Sequence, residues 1–429
     1  MKKLVNLSIL FFFTTGILSL IYMVTKTVDS SGAIDFHSYW YAGHFIRQQS
    51  DPYQAYLEDL APQPPVSYLD NKIIDQLPIA QAGLARVPAN TPLFVLLLSP
   101  FSYLSWFPAK LLWMILNLLF SFIIPFLMFK LSCKPGTYSW KLRLLLYLIF
   151  LTIFGTRNTV AGGQTSLFIF SWMLLSVITS KKNWILSGIS LGLALSKFSF
   201  SLPVVLLFLV EGRFRIIALS LVIQFLGLWL LSGLVSQPMS VILQEYFQIM
   251  QGHLDQPGIH LSSLITDRMI SPLWVSIVFS IFFFGIILIW WWKNHKTYPV
   301  VLDSCQRLGL FASFSIFTLL VAYHRAYDTC LAFIFIFLLF QWIENPAIIA
   351  RTSHHRRNLV LFLGFVILIL SLPARGFAYL GITSWPLIEK TWLFLQSSSV
   401  TFALLMMLGL CIYFLFKLQS PVNSTLQSS

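Results

Sequence analysis

Long apolar runs, separated by short polar stretches, recur along the whole chain. A run of about 18 to 20 apolar residues is long enough to cross the ~30 Å hydrocarbon core of a bilayer as a helix. The pattern therefore predicts about 12 membrane crossings, several of them shorter than a full span. The predicted spans are residues 4–24, 108–130, 141–157, 163–180, 184–197, 199–210, 214–235, 272–292, 307–323, 327–343, 359–373 and 400–416.

One apolar segment, residues 93–107, lies between Pro92 and Pro108 and fits two interpretations. As a separate crossing it would invert the orientation of every later span. The basic clusters after the later spans argue against this inversion, because Lys and Arg concentrate in cytoplasmic loops. Lys110 alone would suit a cytoplasmic turn directly after the segment. We therefore predict a short, re-entrant helix, so that residues 93–130 make one net crossing.

The composition excludes several classes of protein. Hydrophobic residues make up 57% of the chain and charged residues 10%, whereas a soluble domain carries about 25% charged residues. The solid apolar runs also lack the alternation of β-barrel strands. The sequence predicts an all-α polytopic membrane protein. The cysteines have no metal-type spacing and are interpreted as ordinary packing or surface residues; they are Cys133, Cys305, Cys330 and Cys411.

The basic charge of the chain is interpreted as an orientation signal. The formal net charge is +13; with Lys110 left unassigned, the predicted topology divides the rest into about +14 on the cytoplasmic side and about −2 on the outer side. We therefore expect no nucleic-acid partner. The N-terminal Met1-Lys2-Lys3 and the long apolar run behind it predict an uncleaved first helix, and both termini are expected in the cytoplasm.

No segment is long enough to form a separate soluble domain, so residues 1–429 are predicted to be one integral membrane domain. The largest hydrophilic segment is the first outer loop, which carries seven of the fifteen acidic residues. The predicted extramembrane segments are the first outer loop 26–92, the second outer loop 236–271, the basic cytoplasmic loop 344–358 and the cytoplasmic tail 417–429.

Polar residues at the outer ends of the helices are the candidates for function, since ionisable groups at a membrane are costly to keep. Asp35 precedes the aromatic stretch Phe36–Tyr41, which is predicted to form an interfacial helix because Tyr and Trp prefer that depth. Two interpretations of Asp35 stay open. It would cap the helix as its N-cap residue, or it would accept a proton from a substrate hydroxyl.

Two further polar groups follow in the chain. Gly162-Gly163 would form a tight turn, and Gln164 is then predicted to open the next helix, where free N–H groups favour a phosphate. Lys197 is a single charge between apolar segments. It would snorkel to the interface or bind a phosphate.

The last two groups lie in the second outer loop and in the turn 323–328. His253, Asp255 and His260 of the loop could be metal ligands, but a loop lacks the helical register of convincing metal motifs, so no metal site is predicted. The turn contains His324, Arg325 and Asp328, for which a local Arg–Asp pair is the simplest interpretation. All these groups converge on the predicted outer face.

Five motifs in order resemble glycosyltransferase family 87, whose members are GT-C-fold enzymes that use polyprenyl-phosphate sugars. The likeness runs over about residues 1–345. The family's Tyr-Pro-Pro run has Thr91 at its first proline here, which is a departure. The motifs are Asp35–Gly43 with Asp51-Pro52-Tyr53, Thr91–Phe101, Gly163–Leu167, Gly188–Lys197, and His324 with Tyr327 and Asp328.

The resemblance implies a GT-C-like bundle with interfacial helices in the first outer loop. It implies transfer of a hexose, mannose-like or pentose sugar from a polyprenyl-phosphate donor to a lipid- or glycan-linked hydroxyl, with inversion and without a metal or other cofactor. A bacterial inner membrane, with the site on the periplasmic face, is the expected location. The competing interpretation is a transporter or flippase for a lipid-linked or anionic solute. The scarcity of acids inside the apolar runs argues against transport.

The resemblance also assigns roles to residues. Asp35 is implied to be the catalytic base, and His324 is implied to be a donor-site residue. The candidates for binding the donor phosphate are Lys197, Arg268, Arg325 and Gln164. The candidates for lining the sugar or acceptor site are Tyr39, Trp40, His44, Tyr53 and Asp328.

Overall fold

The computed structural model describes residues 2–29, 32–58, 90–132, 138–254, 261, 272–294, 301–322, 324, 326–344, 353–371 and 386–417, and these residues contain helices and no strand. The chain divides into two compact units. The first comprises Met1–Leu127, Arg143–Ser201 and Arg215–Gln256, and the second comprises Met128–Leu142, Leu202–Phe214 and Pro257–Ser429.

The α-helices within these ranges are numbered in chain order. They are α1 Lys2–Val28, α2 Ile34–Arg47, α3 Pro52–Glu58, α4 Pro92–Leu98, α5 Trp106–Lys130, α6 Trp140–Thr152, α7 Phe154–Gly162, α8 Ser166–Thr179, α9 Trp184–Ala194, α10 Phe198–Val210, α11 Phe214–Val235, α12 Met239–Leu254, α13 Pro272–Asn294, α14 Ser304–Val321, α15 Phe333–Glu344, α16 Ser353–Ser371 and α17 Pro386–Lys417. Short 3₁₀ helices cover Ser99–Tyr103, Leu195–Lys197 and Ala326–Ala332.

The described helices agree with an integral membrane protein. Eight helical stretches are long and apolar enough to cross a membrane, and α6 with α7, bent by 57°, would make a ninth if they act as one span. The predicted spans 184–197 and 199–210 together form one continuous helical stretch, Trp184–Val210, which contains the 3₁₀ turn Leu195–Lys197. The predicted total of about 12 crossings stays a prediction.

The apolar segment after Pro92 is short. α4 and the 3₁₀ helix that follows it cover only Pro92–Tyr103, which is roughly 20 Å of helix and less than the ~30 Å core. Lys110 has a local explanation as well. Its Nζ donates to the main-chain oxygens of Asp29 (2.8 Å) and Val28 (3.3 Å) at the end of α1, where a cation is favoured by the helix dipole. Lys110 therefore does not require a cytoplasmic turn.

Hydrogen bonds between α8 and α9 show that these two helices of the first unit are antiparallel. Ser176 Oγ lies 2.9 Å from the main-chain oxygen of Ser187. At the other end of the pair, Lys197 Nζ donates to Ser166 Oγ at 3.2 Å. The beginning of α8 therefore lies beside the turn that follows α9.

Two glycines allow α9 and α11 to approach closely, as small residues do between membrane helices. A Cβ atom on Gly188 would lie 2.7 Å from the side chain of Leu219, and one on Gly192 would lie 2.7 Å from Ile223. Both pairs have the same separation along the chain, so the two helices run in the same direction. Their N-termini therefore lie at one end of the first unit.

The first unit thus has two chemically different ends. The end at which α9 and α11 begin carries Lys181, Lys182 and Arg215 and is called the basic end. The opposite end, at which α8 begins and α9 ends, is called the site end. There, an apolar cluster that includes Ala42, Tyr53, Val95, Val235 and Tyr246 joins α2, α3, α4, α11 and α12.

The second unit contains a buried ion cluster between α14 and the residues that follow α10. Arg307 Nε lies 2.6 Å from Glu211 Oε1 as an ion pair, and Glu211 Oε2 accepts hydrogen bonds from Arg307 Nη2 at 3.1 Å and from Arg213 Nε at 2.7 Å. The side chains of Glu211 and Arg307 are 4% and 8% exposed. Both oxygens of the carboxylate are therefore paired with guanidinium groups.

The cysteines in the second unit differ from one another. Cys330 and Cys411 are free and buried, as expected for packing residues. Cys305 is disulfide-bonded, which corrects the interpretation of all four cysteines as ordinary packing or surface residues.

Candidate active site

Asp35 lies in the first turn of α2, at the site end. The N-cap residue of this helix is Ala33, which has a left-handed backbone (φ 55°) and whose N–H donates to Ala161 O at 3.0 Å. The interpretation of Asp35 as the N-cap is therefore wrong. The carboxylate lies against the end of α7, because a Cβ atom on Gly162 would be 3.3 Å from Asp35 Oδ2.

The side chain of Gln164 shares this space with Asp35. The same Cβ position on Gly162 lies 3.9 Å from Gln164 Cγ, so the structure brings the two predicted site residues together. Gln164 is buried, with 6% exposure. It does not open the next helix as predicted, since Thr165 is the N-cap residue and α8 begins at Ser166.

The turn between α7 and α8 depends on Gly163. This residue has a positive φ of 69°, and a Cβ atom on it would lie 2.7 Å from Phe36 Cβ. Only glycine adopts this backbone conformation without strain. The carbonyl of Gly163 also accepts a hydrogen bond from Trp113 Nε1 at 2.9 Å. The glycine therefore lets the first turn of α2, with Asp35, pack directly on the turn that carries Gln164.

Lys197 brings a cation to the same turn. Its Nζ lies 3.2 Å from Ser166 Oγ at the start of α8 and 5.3 Å from the centre of the Phe200 ring. Lys197 is half-buried. The ammonium thus sits at the positive end of a helix dipole, where an anion is favoured.

The aromatic residues of α2 and α3 pack on the segment that includes α4. Trp40 Nε1 donates to Leu104 O at 2.9 Å, and Tyr53 OH donates to Asn90 O at 2.9 Å. The rings of Tyr39 and Phe94 lie 5.3 Å apart. Tyr39, Trp40 and Tyr53 are buried, so these contacts hold the site end together. Their predicted role in lining a sugar or acceptor site stays a prediction.

Two histidines of α2 lie among these rings. The rings of His44 and Trp40 are 4.5 Å apart, and His37 lies 4.8 Å from the Trp106 ring. Burial, and then the nearby His44, lower the pKa of His37 to about 3. His37 is therefore neutral at physiological pH and is not a general acid there. The predicted sugar- or acceptor-lining role of His44 stays a prediction.

His324 and Asp328 belong to the second unit and are described separately. His324 Nδ1 lies 3.1 Å from Asp328 Oδ2, and both side chains are buried. Asp328 thus pairs with His324, and the local pair between Asp328 and Arg325 stays a prediction. Arg268 and Arg325 lie outside the described residues, as do Asp255, His260 and the side chain of His253.

Four further polar residues at the site end are not among the predicted site residues. Their side-chain atoms are buried and have no hydrogen-bond partner among the described residues: Asn90 Nδ2, Thr91 Oγ1, Thr165 Oγ1 and Ser196 Oγ. One signal was visible, since Thr91 replaces a proline of the family pattern. A proline has no N–H, whereas the N–H of Thr91 donates to Ser196 O at 3.2 Å.

Asp51 of the same unit is a structural carboxylate. Its Oδ1 accepts the N–H groups of Tyr53 (2.8 Å) and Gln54 (3.4 Å), and so it caps α3. Burial raises the pKa of Asp51, and its hydrogen bonds act in the opposite direction. Asp51 therefore caps α3, and burying its carboxylate has a desolvation cost. Asp35, by contrast, is half-exposed.

The apolar helices indicate an integral membrane protein. At its site end, the carboxylate of Asp35, the amide of Gln164 and the ammonium of Lys197 lie near the N-terminus of α8. The model of glycosyltransferase family 87 matches residues 89–322, which is more than half of the chain. The chain belongs to this family and is a membrane glycosyltransferase. A comparison with curated proteins finds no match. The matched range includes Gln164 and Lys197, whereas Asp35 and His324 lie outside it.

Proposed function

We propose that the protein transfers a sugar from a polyprenyl-phosphate donor to a hydroxyl of a lipid- or glycan-linked acceptor. The transferred sugar is a hexose such as a mannose-like sugar, or it is a pentose. The acceptors are membrane-bound or glycan molecules at the same surface, and the products are a glycosylated acceptor and polyprenyl phosphate. No metal or other cofactor takes part in this scheme. It rests on membership of the family together with the groups at the site end.

In the proposed reaction, Asp35 accepts the proton of the acceptor hydroxyl. The acceptor oxygen forms a bond to the anomeric carbon while the bond from that carbon to the phosphate oxygen breaks. The phosphate leaves with the bonding electrons, and the configuration at the anomeric carbon inverts. One carboxylate is sufficient, because a retaining double displacement would need a second one as nucleophile. Asp35 afterwards loses its proton to water.

Cations and hydrogen-bond donors stabilise the charge that develops on the phosphate. We assign this role to Lys197 and Gln164 at the site end and, following the resemblance, to Arg268 and Arg325. His324 is assigned to the donor on the resemblance alone. The single observation that carries the proposal is the position of Asp35. Its carboxylate shares the space over Gly162 with Gln164, directly before the helix that Lys197 contacts.

We further propose that the site end faces the periplasm of a bacterial inner membrane. The basic end carries Lys181, Lys182 and Arg215, and basic residues favour the cytoplasmic side. An Asp29→Cys variant should therefore react with an impermeant maleimide added outside intact cells, whereas Lys182→Cys should react only after lysis. The reverse pattern would contradict the orientation, and reaction of both or of neither with intact cells would also contradict it.

The activity test uses the purified chain in lipid nanodiscs. Labelled polyprenyl-phosphate hexoses and pentoses are offered with extracted lipid and glycan acceptors, and transfer is followed by release of polyprenyl phosphate. We expect transfer from at least one donor, inversion in the product, and activity in the presence of EDTA. Transfer from nucleotide sugars alone would contradict the proposed donor class. Transport of the donor across a sealed bilayer without transfer would favour a flippase.

A further inference from the structure

The four residues whose side-chain atoms lack a partner among the described residues lie on three chain segments that meet at the start of α8. Thr165 is the N-cap residue of this helix. Ser196 precedes Lys197, whose Nζ reaches Ser166 Oγ at 3.2 Å. The Asn90-Thr91 segment is joined to the same turn, since the Thr91 N–H donates to Ser196 O at 3.2 Å. These groups therefore belong to one local cluster in the first unit.

The hydroxyl of Thr165 is unusual for its position. A threonine at the N-cap normally accepts an N–H of the first helical turn. Here the side chain makes no such bond, although Thr165 is only 1% exposed. Ser196 is fully buried and its hydroxyl also lacks a partner among the described residues. Buried polar groups are hydrogen-bonded in the great majority of cases, so unpartnered hydroxyls beside a helix N-terminus are candidates to bind a ligand.

The charges at this point indicate the sign of the ligand. The first turn of α8, a helix of 14 residues, presents N–H groups and the positive end of its dipole. The ammonium of Lys197 lies at the same end. Two sources of positive potential at one place are unfavourable by themselves and favourable around an anion.

The donor and acceptor character of the groups narrows the ligand further. An ammonium, an amide NH₂, main-chain N–H groups and three hydroxyls are all able to donate hydrogen bonds. A phosphoryl group offers acceptor oxygens only and matches this set. A sugar presents hydroxyl donors as well, which the ammonium and the main-chain N–H groups cannot accept, so these groups favour the phosphoryl group.

We infer that Asn90, Thr91, Thr165, Ser196 and Lys197 form a pocket for a phosphoryl group at the start of α8, called the α8 phosphate pocket. The inference rests on the proposed function, because that function identifies the phosphate as part of a lipid donor. The inference adds uncharged hydrogen-bond donors to the residues proposed to bind the phosphate. It also gives Thr91, which departs from the family pattern, a specific role in binding the phosphate and holding the Ser196 turn.

The test measures binding and does not require catalysis. The full-length chain in nanodiscs is titrated with a polyprenyl phosphate, with the matching prenol that lacks the phosphate, and with inorganic phosphate as a competitor. Three variants remove a hydroxyl at nearly constant volume: Thr91→Val, Thr165→Val and Ser196→Ala. We expect each to weaken binding of polyprenyl phosphate by about 10-fold, as for a hydrogen bond to a charged group, and to leave prenol binding unchanged.

Matched variants separate hydroxyl loss from misfolding. Thr91→Ser and Thr165→Ser keep a hydroxyl and should keep the affinity within about threefold. Ser171→Ala lies on the same helix, but its hydroxyl already donates to Leu167 O at 2.9 Å, so its affinity should equal that of the wild type. Thr91→Pro should behave like Thr91→Val or worse, because it also removes the N–H that bonds Ser196.

The outcomes distinguish this inference from the proposed function. Unchanged affinity for polyprenyl phosphate in Thr165→Val and Ser196→Ala would overturn the pocket, even if the enzyme transfers sugar. Selective loss of phosphate binding in these variants would support the pocket, even if no sugar is transferred. Competition by inorganic phosphate would identify the phosphoryl group itself as the ligand. Equal binding of the prenol and the phosphate by the wild type would contradict the inference.

Discussion

Two buried polar clusters in this molecule differ in how their groups are paired. In the second unit, both oxygens of Glu211 are paired with the guanidinium groups of Arg307 and Arg213. At the site end of the first unit, the hydroxyls of Thr165 and Ser196 have no partner among the described residues. In the first cluster, both oxygens of the carboxylate have a cationic partner within the protein. The second cluster has donors left over, which are available to a substrate.

The difference teaches how to separate structural from functional polar groups in a membrane protein. A buried ion pair whose partners are all present adds little net stability, but removing one partner destabilises the fold strongly. A donor-rich cluster at a helix N-terminus gains its partners when an anion binds. We therefore expect changes in the ion cluster to alter stability, and changes at the site end to alter substrate binding and turnover.

The largest expected loss of stability comes from breaking the ion cluster. Glu211→Gln removes the negative charge and leaves Arg307 buried without its ionic partner. Such a change typically costs about 3–5 kcal/mol, which should appear as a large drop in the midpoint of thermal unfolding in detergent. The turnover of the remaining folded protein should be unchanged. If Glu211→Gln kept its melting temperature but lost turnover, the ion cluster would be functional and not structural, which contradicts this account.

Lys197→Met is the counterpart at the site end. Removing a charge that stabilises a leaving group costs roughly 10²- to 10³-fold in kcat. The free energy of unfolding should change by no more than about 1 kcal/mol, since the ammonium sits at the unfavourable end of the α8 dipole. Thermal unfolding and initial transfer rates measure the two quantities on the same preparation. Full activity of Lys197→Met would remove this residue from the site.

Gly163→Ala tests the backbone that joins Asp35 to the turn before α8. An alanine at a left-handed position costs about 1–3 kcal/mol, and its Cβ would also collide with Phe36 at 2.7 Å. We expect a moderate loss of stability and a larger loss of activity, because the first turn of α2 must move. Gly233→Ala is the control, since nothing lies within 4 Å of a Cβ there. Wild-type activity in Gly163→Ala would show that this contact is dispensable.

The smallest expected effect concerns the cap at Asp51. Burial raises the pKa of this carboxyl in the folded state, so the folded protein holds the proton more tightly than the unfolded chain. The stabilisation from the protonated form is present below the unfolded pKa of ~3.9 and is lost as pH rises through the higher folded pKa. Asp51→Asn stays neutral and still caps α3.

We therefore expect Asp51→Asn to melt at a higher temperature than the wild type at neutral pH, and the difference to close toward pH 4. Asp29→Asn changes a carboxylate whose side chain is 51% exposed, and it should show no such trend. A wild-type advantage that grows with pH would contradict the raised pKa.

Much of this architecture was predictable from the sequence. The apolar runs predicted the membrane class, and the motifs predicted the family that the match to residues 89–322 confirms. The motifs also pointed to Asp35, Gln164 and Lys197, which the first unit brings to one end. These predictions were possible because local composition determines where membrane helices form, and because the short motifs lie at the ends of those helices.

Other features depend on contacts between distant parts of the chain. Lys110 appeared to be a topology signal, but it caps α1 through Asp29 and Val28. Of the two interpretations of Asp35, the N-cap role is excluded because the left-handed Ala33 takes that position. The role of Thr91 required the position of Ser196. Neither composition nor spacing contains these tertiary contacts.

The central claim is that Asp35 is the base of a polyprenyl-phosphate-dependent sugar transfer. It is tested most directly by the transfer rate of Asp35→Asn relative to the wild type at saturating donor, with Asp29→Asn as the matched exposed control. We predict that Asp35→Asn loses about 10²- to 10⁴-fold in kcat, binds polyprenyl phosphate within about threefold of the wild type, and unfolds at a similar temperature, while Asp29→Asn stays active. A transfer rate of Asp35→Asn close to that of the wild type would contradict the claim.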